Sequence, residues 1–210
     1  MAQPTKHPPG RLTYSDGARL YINLTDGCSL KCRYCFKNAG PGPVIEGTDL
    51  TLARQPSATD IRKALREELD GFEEAVFAGF GEPTLRFPTL LELAEFIHRQ
   101  GKAVRLVTDG LANRVYRRDV TPQLAGRIDR ISVSLNAADA ATYNRLCQPP
   151  WPDAFDHVCD FLRRVRGHVP EVTATAVEGV EGVDIEACRR LAEEELGVAF
   201  RPRPMDTITE

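Results

Sequence analysis

Cys28, Cys32 and Cys35 stand in a C-x3-C-x2-C run, and no fourth cysteine follows at a comparable interval. Thiolates so spaced hold metal, and a four-iron cluster is ordinarily closed by four of them. Three thiolates hold a cluster and leave one iron open for a ligand the protein does not supply. That open iron turns an electron carrier into a reactive site. The competing chemistry is structural zinc, which wants four ligands. Neither Cys147 nor His7 supplies the usual second C-x2-C partner, so cluster binding is expected.

Further polar groups recur at strand ends. Gly79-Phe80-Gly81-Glu82-Pro83-Thr84 is a glycine-rich turn with one acid, Thr108-Asp109-Gly110 is another acidic turn, and Ser132, Ser134 and Asn136 alternate with Ile131, Val133 and Leu135. Taken alone, each is an ordinary turn or a solvated strand face. Cys159 and Cys188 share apolar helical faces and read as small core residues. Cys147 reads the same way, although it precedes Gln148-Pro149-Pro150-Trp151 and a place at a site mouth is the alternative. His98 and His157 have no ligand partners and read as surface or core residues. Arg201 and Arg203 suit an anionic substrate or simply a solvated strand end.

Those groups need elements that bring them together. Residues 1–17 read as a tail or a short leading hairpin, and 18–210 as one core domain. Strands are expected near 20–24, 75–78, 104–107, 131–136, 172–177 and 198–202. Helices starting at Ser57 or Thr59 and near 90–100, 138–147, 154–166 and 184–195 alternate with them. Residues 113–126 are helical with poor patterning, and the Gly/Pro-rich 38–55 stretch is a loop and a candidate lid. Repeated strand–helix units argue for parallel strands and right-handed crossovers. A doubly wound sheet would be apolar on both faces. The polar Ser132–Ser134–Asn136 face argues instead for an α/β partial barrel with a wet lumen, lined also by Tyr21 with Asn23, Arg105 with Asp109, and Arg201 with Arg203. Every constellation above then lies at the C-terminal end of a strand, where barrels place their chemistry.

Composition excludes little but narrows the setting. A net charge of −3 gives no case for nucleic-acid binding. No apolar run reaches the ~20 residues of a membrane span, and Met1 to Asp16 lacks the apolar stretch of a signal peptide. Bunched and helical cysteines do not form a disulfide framework, so a reducing, cytoplasmic setting is expected.

The cysteine run, with Tyr34 before its last cysteine, resembles the signature of the radical S-adenosylmethionine (SAM) superfamily, and Gly79–Pro83 resembles that family's "GGE" turn. The runs Tyr21–Thr25, Gly81–Leu85 and Ser134–Ala137 are similar to the TatD-associated radical SAM proteins, over roughly residues 20–203. The resemblance implies a partial (β/α)6 TIM-like barrel, a [4Fe–4S] cluster on Cys28, Cys32 and Cys35, and SAM on the open iron. It implies reductive cleavage of SAM to a 5′-deoxyadenosyl radical that abstracts a substrate hydrogen. By position, Gly81 and Glu82 would receive the methionine ammonium, Ser134 and Asn136 the ribose hydroxyls. Thr108 and Asp109 would sit between ribose and carboxylate, and Tyr34 near adenine. Phe80 departs from the family's frequent Gly, and Asp109 from an expected Asn. An acid there is repulsive to the SAM carboxylate unless it bonds ribose or pairs with a base such as Arg105. Implied partners are a flavodoxin or ferredoxin as electron donor, and a macromolecular substrate or a TatD-type nuclease. The alternatives are a 7-carboxy-7-deazaguanine-synthase-like enzyme on a small heterocycle, with Arg201 and Arg203 holding a carboxylate, a glycyl-radical activase, and a non-catalytic metal- or cluster-bearing interaction module.

Overall fold

In the computed structural model, which describes residues 10–35, 37, 44–45 and 48–204, strands and helices alternate from Thr13 to Arg203. The first two strands, β1 (Thr13–Asp16) and β2 (Arg19–Ile22), form an antiparallel hairpin across Gly17, whose φ of 55° supplies the left-handed turn. Two short strands, β3 (Val44–Ile45) and β4 (Thr48–Asp49), pair only with each other. The remaining strands are β5 (Glu74–Phe77), β6 (Ala103–Thr108), β7 (Arg130–Ser134), β8 (Glu171–Val177) and β9 (Ala199–Arg203). One seven-stranded sheet runs β1-β2-β5-β6-β7-β8-β9, and only the β1–β2 pairing is antiparallel. The strands β1 and β9 remain as its two edges, so the barrel is partial.

The helices begin and end where the side chains dictate. For α1 (Ala58–Glu68) the cap is Ser57, which forms a reciprocal capping box with Asp60. After α2 (Phe87–Arg99), Gly101 takes a φ of 73° and stops it. The poorly patterned 113–126 stretch is a short α3 (Ala112–Tyr116) and a 3-10 turn, Thr121–Leu124. Asp139 caps α4 (Ala140–Cys147) by accepting from Thr142 N at 2.9 Å. Next comes α5 (Ala154–Val165). The expected 184–195 helix is α6 (Ile185–Arg190) continuing as a π-helical turn, Leu191–Leu196.

Strand alternation sorts the core into two faces. Leu20, Ile22, Phe77, Val104, Leu106, Ile131 and Val133 face the helices in the main core, which also takes Cys147, Cys159 and Cys188. The other face is layered. At its N-terminal end Glu74 pairs with Arg19, Arg105 and Arg130, and Arg130 also pairs with Glu171. Above that layer Tyr21, Val76, Ala78 and Phe80 pack with Tyr14, Leu50 and Val107, and the rings of Tyr14 and Tyr21 stack at 5.0 Å. Ser132 and Thr173 continue the same row as Val107 on the β7–β8 side.

The expected polar lumen is therefore corrected to a divided one, apolar under β1–β6 and polar under β7–β9. Arg105 is corrected as well. It lies four residues below Asp109, about 13 Å at ~3.3 Å per residue, and is paired with Glu74. Of the 38–55 segment, residues 38–43 and 46–47 lie outside the described residues, as do residues 1–9. Leu50 is fully buried, Leu52 N donates to Asp26 Oδ2 at 3.0 Å, and Leu52 bridges Gly10. Those residues are built into the body and are no lid.

Candidate active site

A 180 Å³ cavity opens at the C-terminal ends of the parallel strands. Cys28, Cys32, Cys35 and Tyr34 line it, with Gly81, Glu82, Thr108, Asp109, Ser134 and Asn136, so the fold brings together the residues expected to hold the cluster and SAM. Leu30, Phe80, Val107 and Val177 add apolar wall, and Arg203 is the one cation among the described lining residues. Arg201 is not among them. His98 and His157 pair with Asp129 and Asp153 away from the cavity.

Backbone hydrogen bonds hold the cysteine loop from two sides. Lys31 N donates to Cys147 O at 3.0 Å and Arg33 N to Leu146 O at 2.9 Å. The last carbonyls of α4, which have no partner inside the helix, are thus satisfied by the loop. On the other side Glu82 N donates to Gly27 O at 2.7 Å. A Cβ on Gly81 would come within 2.1 Å of Thr25 O and 2.4 Å of Gly27 O, so glycine is what lets the turn after β5 reach the loop. Phe80 is accommodated because its side chain packs into the inner apolar cluster beside the cavity.

Glu82 is saturated. Its Oε1 accepts from Thr84 N (2.9 Å), Thr84 Oγ1 (2.7 Å) and Thr108 Oγ1 (2.7 Å), and its Oε2 from Asp109 N (2.7 Å). Burial, and then the neighbouring Asp109 charge, push its pKa up to about 8, against the pull of those hydrogen bonds. Asp109 is also raised by burial, opposed by the Ser29 hydroxyl on Oδ2 and Leu111 N on Oδ1. Two buried acids in contact make the cavity floor favour a cation.

Two of the three thiols have raised pKa values. Burial, followed by Asp109, pushes Cys28 up to about 12, and the hydrogen bond with Cys147, followed by burial, raises Cys32. Coordinated iron reverses this, because a coordinating thiol is deprotonated outright. Among the described residues no three His, Cys, Asp or Glu side chains are grouped for a single metal ion. The cysteines line the cavity without closing on one ion.

Asn136, two residues past the end of β7, has a left-handed φ of 62°, a conformation Asn tolerates better than most residues. Its N donates to Thr175 O at 3.1 Å and its Nδ2 to Cys147 Sγ at 3.6 Å. Its Oδ1 is buried with no partner among the described residues, an acceptor suited to a ligand hydroxyl. Sequence reasoning missed Ser29 and Thr84, whose polar side chains next to motif residues were the available signal. Cys147, read as core packing with a place at the site mouth as the alternative, is buried with its sulfur 3.5 Å from Tyr34 Oη.

Comparison with known proteins agrees with this geometry. A sequence profile described as the Radical SAM superfamily matches residues 22–193. An S-adenosyl-L-methionine-dependent tRNA 4-demethylwyosine synthase of Pyrococcus horikoshii is 27% identical over 202 residues, covering 85% of this chain and 55% of that protein. A GTP 3′,8-cyclase of Pasteurella multocida is 30% identical over 131 residues, covering 60% of this chain and 35% of that protein. The chain thus spans about half the length of these curated relatives or less. Among solved structures, Streptococcus suis SuiB bound to S-adenosylmethionine is similar in fold, with a TM-score of 0.62 and 18% identity over 88% of this chain and 38% of that one.

Proposed function

The chain belongs to the radical SAM superfamily, and we propose that it is an enzyme in which Cys28, Cys32 and Cys35 hold a [4Fe–4S] cluster beside bound SAM. The superfamily's cofactors are that cluster and SAM. When bound, they supply reductive cleavage of the sulfonium C–S bond and hydrogen abstraction from a substrate. The donor set fits them. Three thiols face the cavity, its floor is acidic, and a buried amide oxygen on Asn136 has no partner among the described residues.

This chain's residues bind, orient and shield. The Glu82–Asp109 pair favours the ammonium and sulfonium charges, and because Glu82's oxygens are already engaged, its contribution is field and backbone rather than a new hydrogen bond. Thr108 holds Glu82 in place. Asn136 and Ser134 would accept from ribose hydroxyls, and Tyr34 would hold the adenine. Leu30, Phe80, Val107 and Val177 keep water from the reacting atoms.

The observation that carries this reading is the convergence of the three thiols and the Asn136 acceptor on one cavity. Anaerobically reconstituted protein given dithionite and SAM should release 5′-deoxyadenosine, and Cys32→Ala should not. A wild-type protein with a full cluster that neither binds nor cleaves SAM would overturn it. The narrower placement, a TatD-associated radical SAM protein working with a TatD-type nuclease or another large substrate and a flavodoxin or ferredoxin donor in the cytoplasm, rests on the Tyr21–Thr25, Gly81–Leu85 and Ser134–Ala137 runs and on six free thiols. A small anionic substrate is the second reading, favoured by Arg203 at the cavity wall. Retained turnover in Arg203→Met would remove it.

A further inference from the structure

Cys147 is fully buried, yet its sulfur sits among polar groups. Tyr34 Oη lies 3.5 Å from it, Asn136 Nδ2 donates to it at 3.6 Å, and the Cys32 sulfur, 3.9 Å from the Cys147 carbonyl oxygen, is in side-chain contact with it. The backbone of the same residue receives Lys31 N at 3.0 Å, which fixes the sulfur relative to the cysteine loop.

With Cys32 bound to metal, the donor inventory admits an arrangement that satisfies every group. Asn136 Nδ2 can only donate, and a metal-bound Cys32 thiolate can only accept. A thiol has one proton to give and lone pairs to receive. All groups are satisfied together when Cys147 S–H points at Cys32 Sγ while its sulfur accepts from Asn136 and Tyr34. In that arrangement the Asn136 amide is locked with Nδ2 on the Cys147 sulfur, and its Oδ1 is left buried without a partner among the described residues.

We propose that Cys147 is a positioning residue that donates a hydrogen bond to the Cys32 sulfur and orients Asn136, joining the cluster ligand to the nucleoside end of the cavity. This rests on the reading of Cys32 as a cluster ligand. Two consequences follow from one thiol. A hydrogen bond to a ligand sulfur stabilises the more negative reduced cluster and raises its potential. Loss of the Asn136 anchor frees the amide to rotate and weakens whatever Oδ1 binds.

The test compares Cys147→Ala and Cys147→Ser with wild type in reconstituted protein. The readouts are iron and sulfide content, the cluster midpoint potential by EPR-monitored titration, and the Kd for SAM. The Ala variant is expected to keep its iron, titrate at a more negative potential and bind SAM about three- to tenfold more weakly, the loss of about one hydrogen bond. The Ser variant, whose hydroxyl donates and accepts, is expected to recover most of both. An Ala variant identical to wild type in potential and Kd would reduce Cys147 to packing, and a Ser variant no better than Ala would do the same. If the Ala variant fails to hold iron, Tyr34→Phe removes one donor to the sulfur and leaves every thiol in place. A potential shifted the same way supports the relay, and an unchanged one overturns it. Failure of the underlying reading shows separately, as wild-type protein that assembles no SAM-responsive cluster.

Discussion

Ser29 donates its hydroxyl to the Asp109 carboxylate and so ties the cysteine loop after β2 to the end of β6. Asp109 N in turn donates to Glu82 at 2.7 Å, and Glu82 N donates to Gly27 at 2.7 Å. A circuit of three turns therefore closes beneath the thiols. Asp109 is engaged by the Ser29 hydroxyl and Leu111 N rather than by an arginine.

Asp109→Asn should test that circuit by pH. Glu82 and Asp109 both have folded pKa values above their ordinary ones, Glu82 rising from 4.5 to about 8. Between those values the folded state binds more protons than the unfolded chain, so stability falls as pH rises. Their contribution is complete below the ordinary carboxylate range and is lost as pH climbs through about 8. Removing the Asp109 charge lowers the repulsion on Glu82. Urea midpoints of metal-free protein should fall less steeply with pH in the Asn variant than in wild type, and parallel slopes would show that the acids do not feel each other.

Gly81→Ala should be severe and Gly71→Ala harmless. The first places a Cβ against two backbone oxygens, Thr25 O and Gly27 O, which cannot rotate away. Overpacking of this kind costs about 1–3 kcal/mol or more, and relief requires the loop to move from the turn. The second meets nothing within 4 Å and should be neutral or stabilise by about 0.4–1 kcal/mol through the unfolded chain. Chemical denaturation with iron content after reconstitution separates them. A Gly81 variant with full stability and iron would contradict the close approach.

Glu74 organises the opposite end of the lumen, where three arginines share its carboxylate. Burial pushes its pKa up, but the Arg130 and Arg105 hydrogen bonds outweigh that and hold it below the ordinary 4.5. A depressed acid contributes stability above its unfolded value and loses it as pH falls through the folded one. Glu74→Gln should cost about 2 kcal/mol at neutral pH, because Arg19 and Arg130 are partly solvated and screened. The gap between the variant and wild type should close below pH 4.5. A gap constant down to about pH 3 would mean that the carboxylate's charge is not what holds the layer.

The sequence carried the strand–helix order because period-2 and period-3.6 patterns are local, and it carried the site because barrel topology gathers strand ends. Glu82 shows what was not legible. A motif acid at a strand end looks available for a ligand, and only the fold reveals that Thr84, Thr108 and Asp109 N consume it. Arg105 shows the same limit, since alternation gives the face of the sheet but not the layer. Phe80 and Val107 line the cavity and also pack the apolar half of the lumen, which depends on Tyr14 and Leu50 arriving from distant segments.

Asn136 offers the sharpest separation of fold from function. Its φ of 62° is left-handed, so Asn136→Ala mixes backbone strain with loss of the side chain, whereas Asn136→Gly removes the side chain and relaxes the backbone. The Gly variant should therefore keep wild-type stability within about 1 kcal/mol. It loses both the buried acceptor that has no partner among the described residues and the donor to Cys147. SAM affinity in reconstituted protein should drop about fivefold or more, the effect of one uncompensated buried hydrogen bond, and the Ala variant should show the same affinity loss plus destabilisation by about 1 kcal/mol. Calorimetric titration with SAM beside urea unfolding reads the two effects independently. A Gly variant that is stable and binds SAM as wild type does would remove Asn136 from the binding site while leaving its backbone role intact.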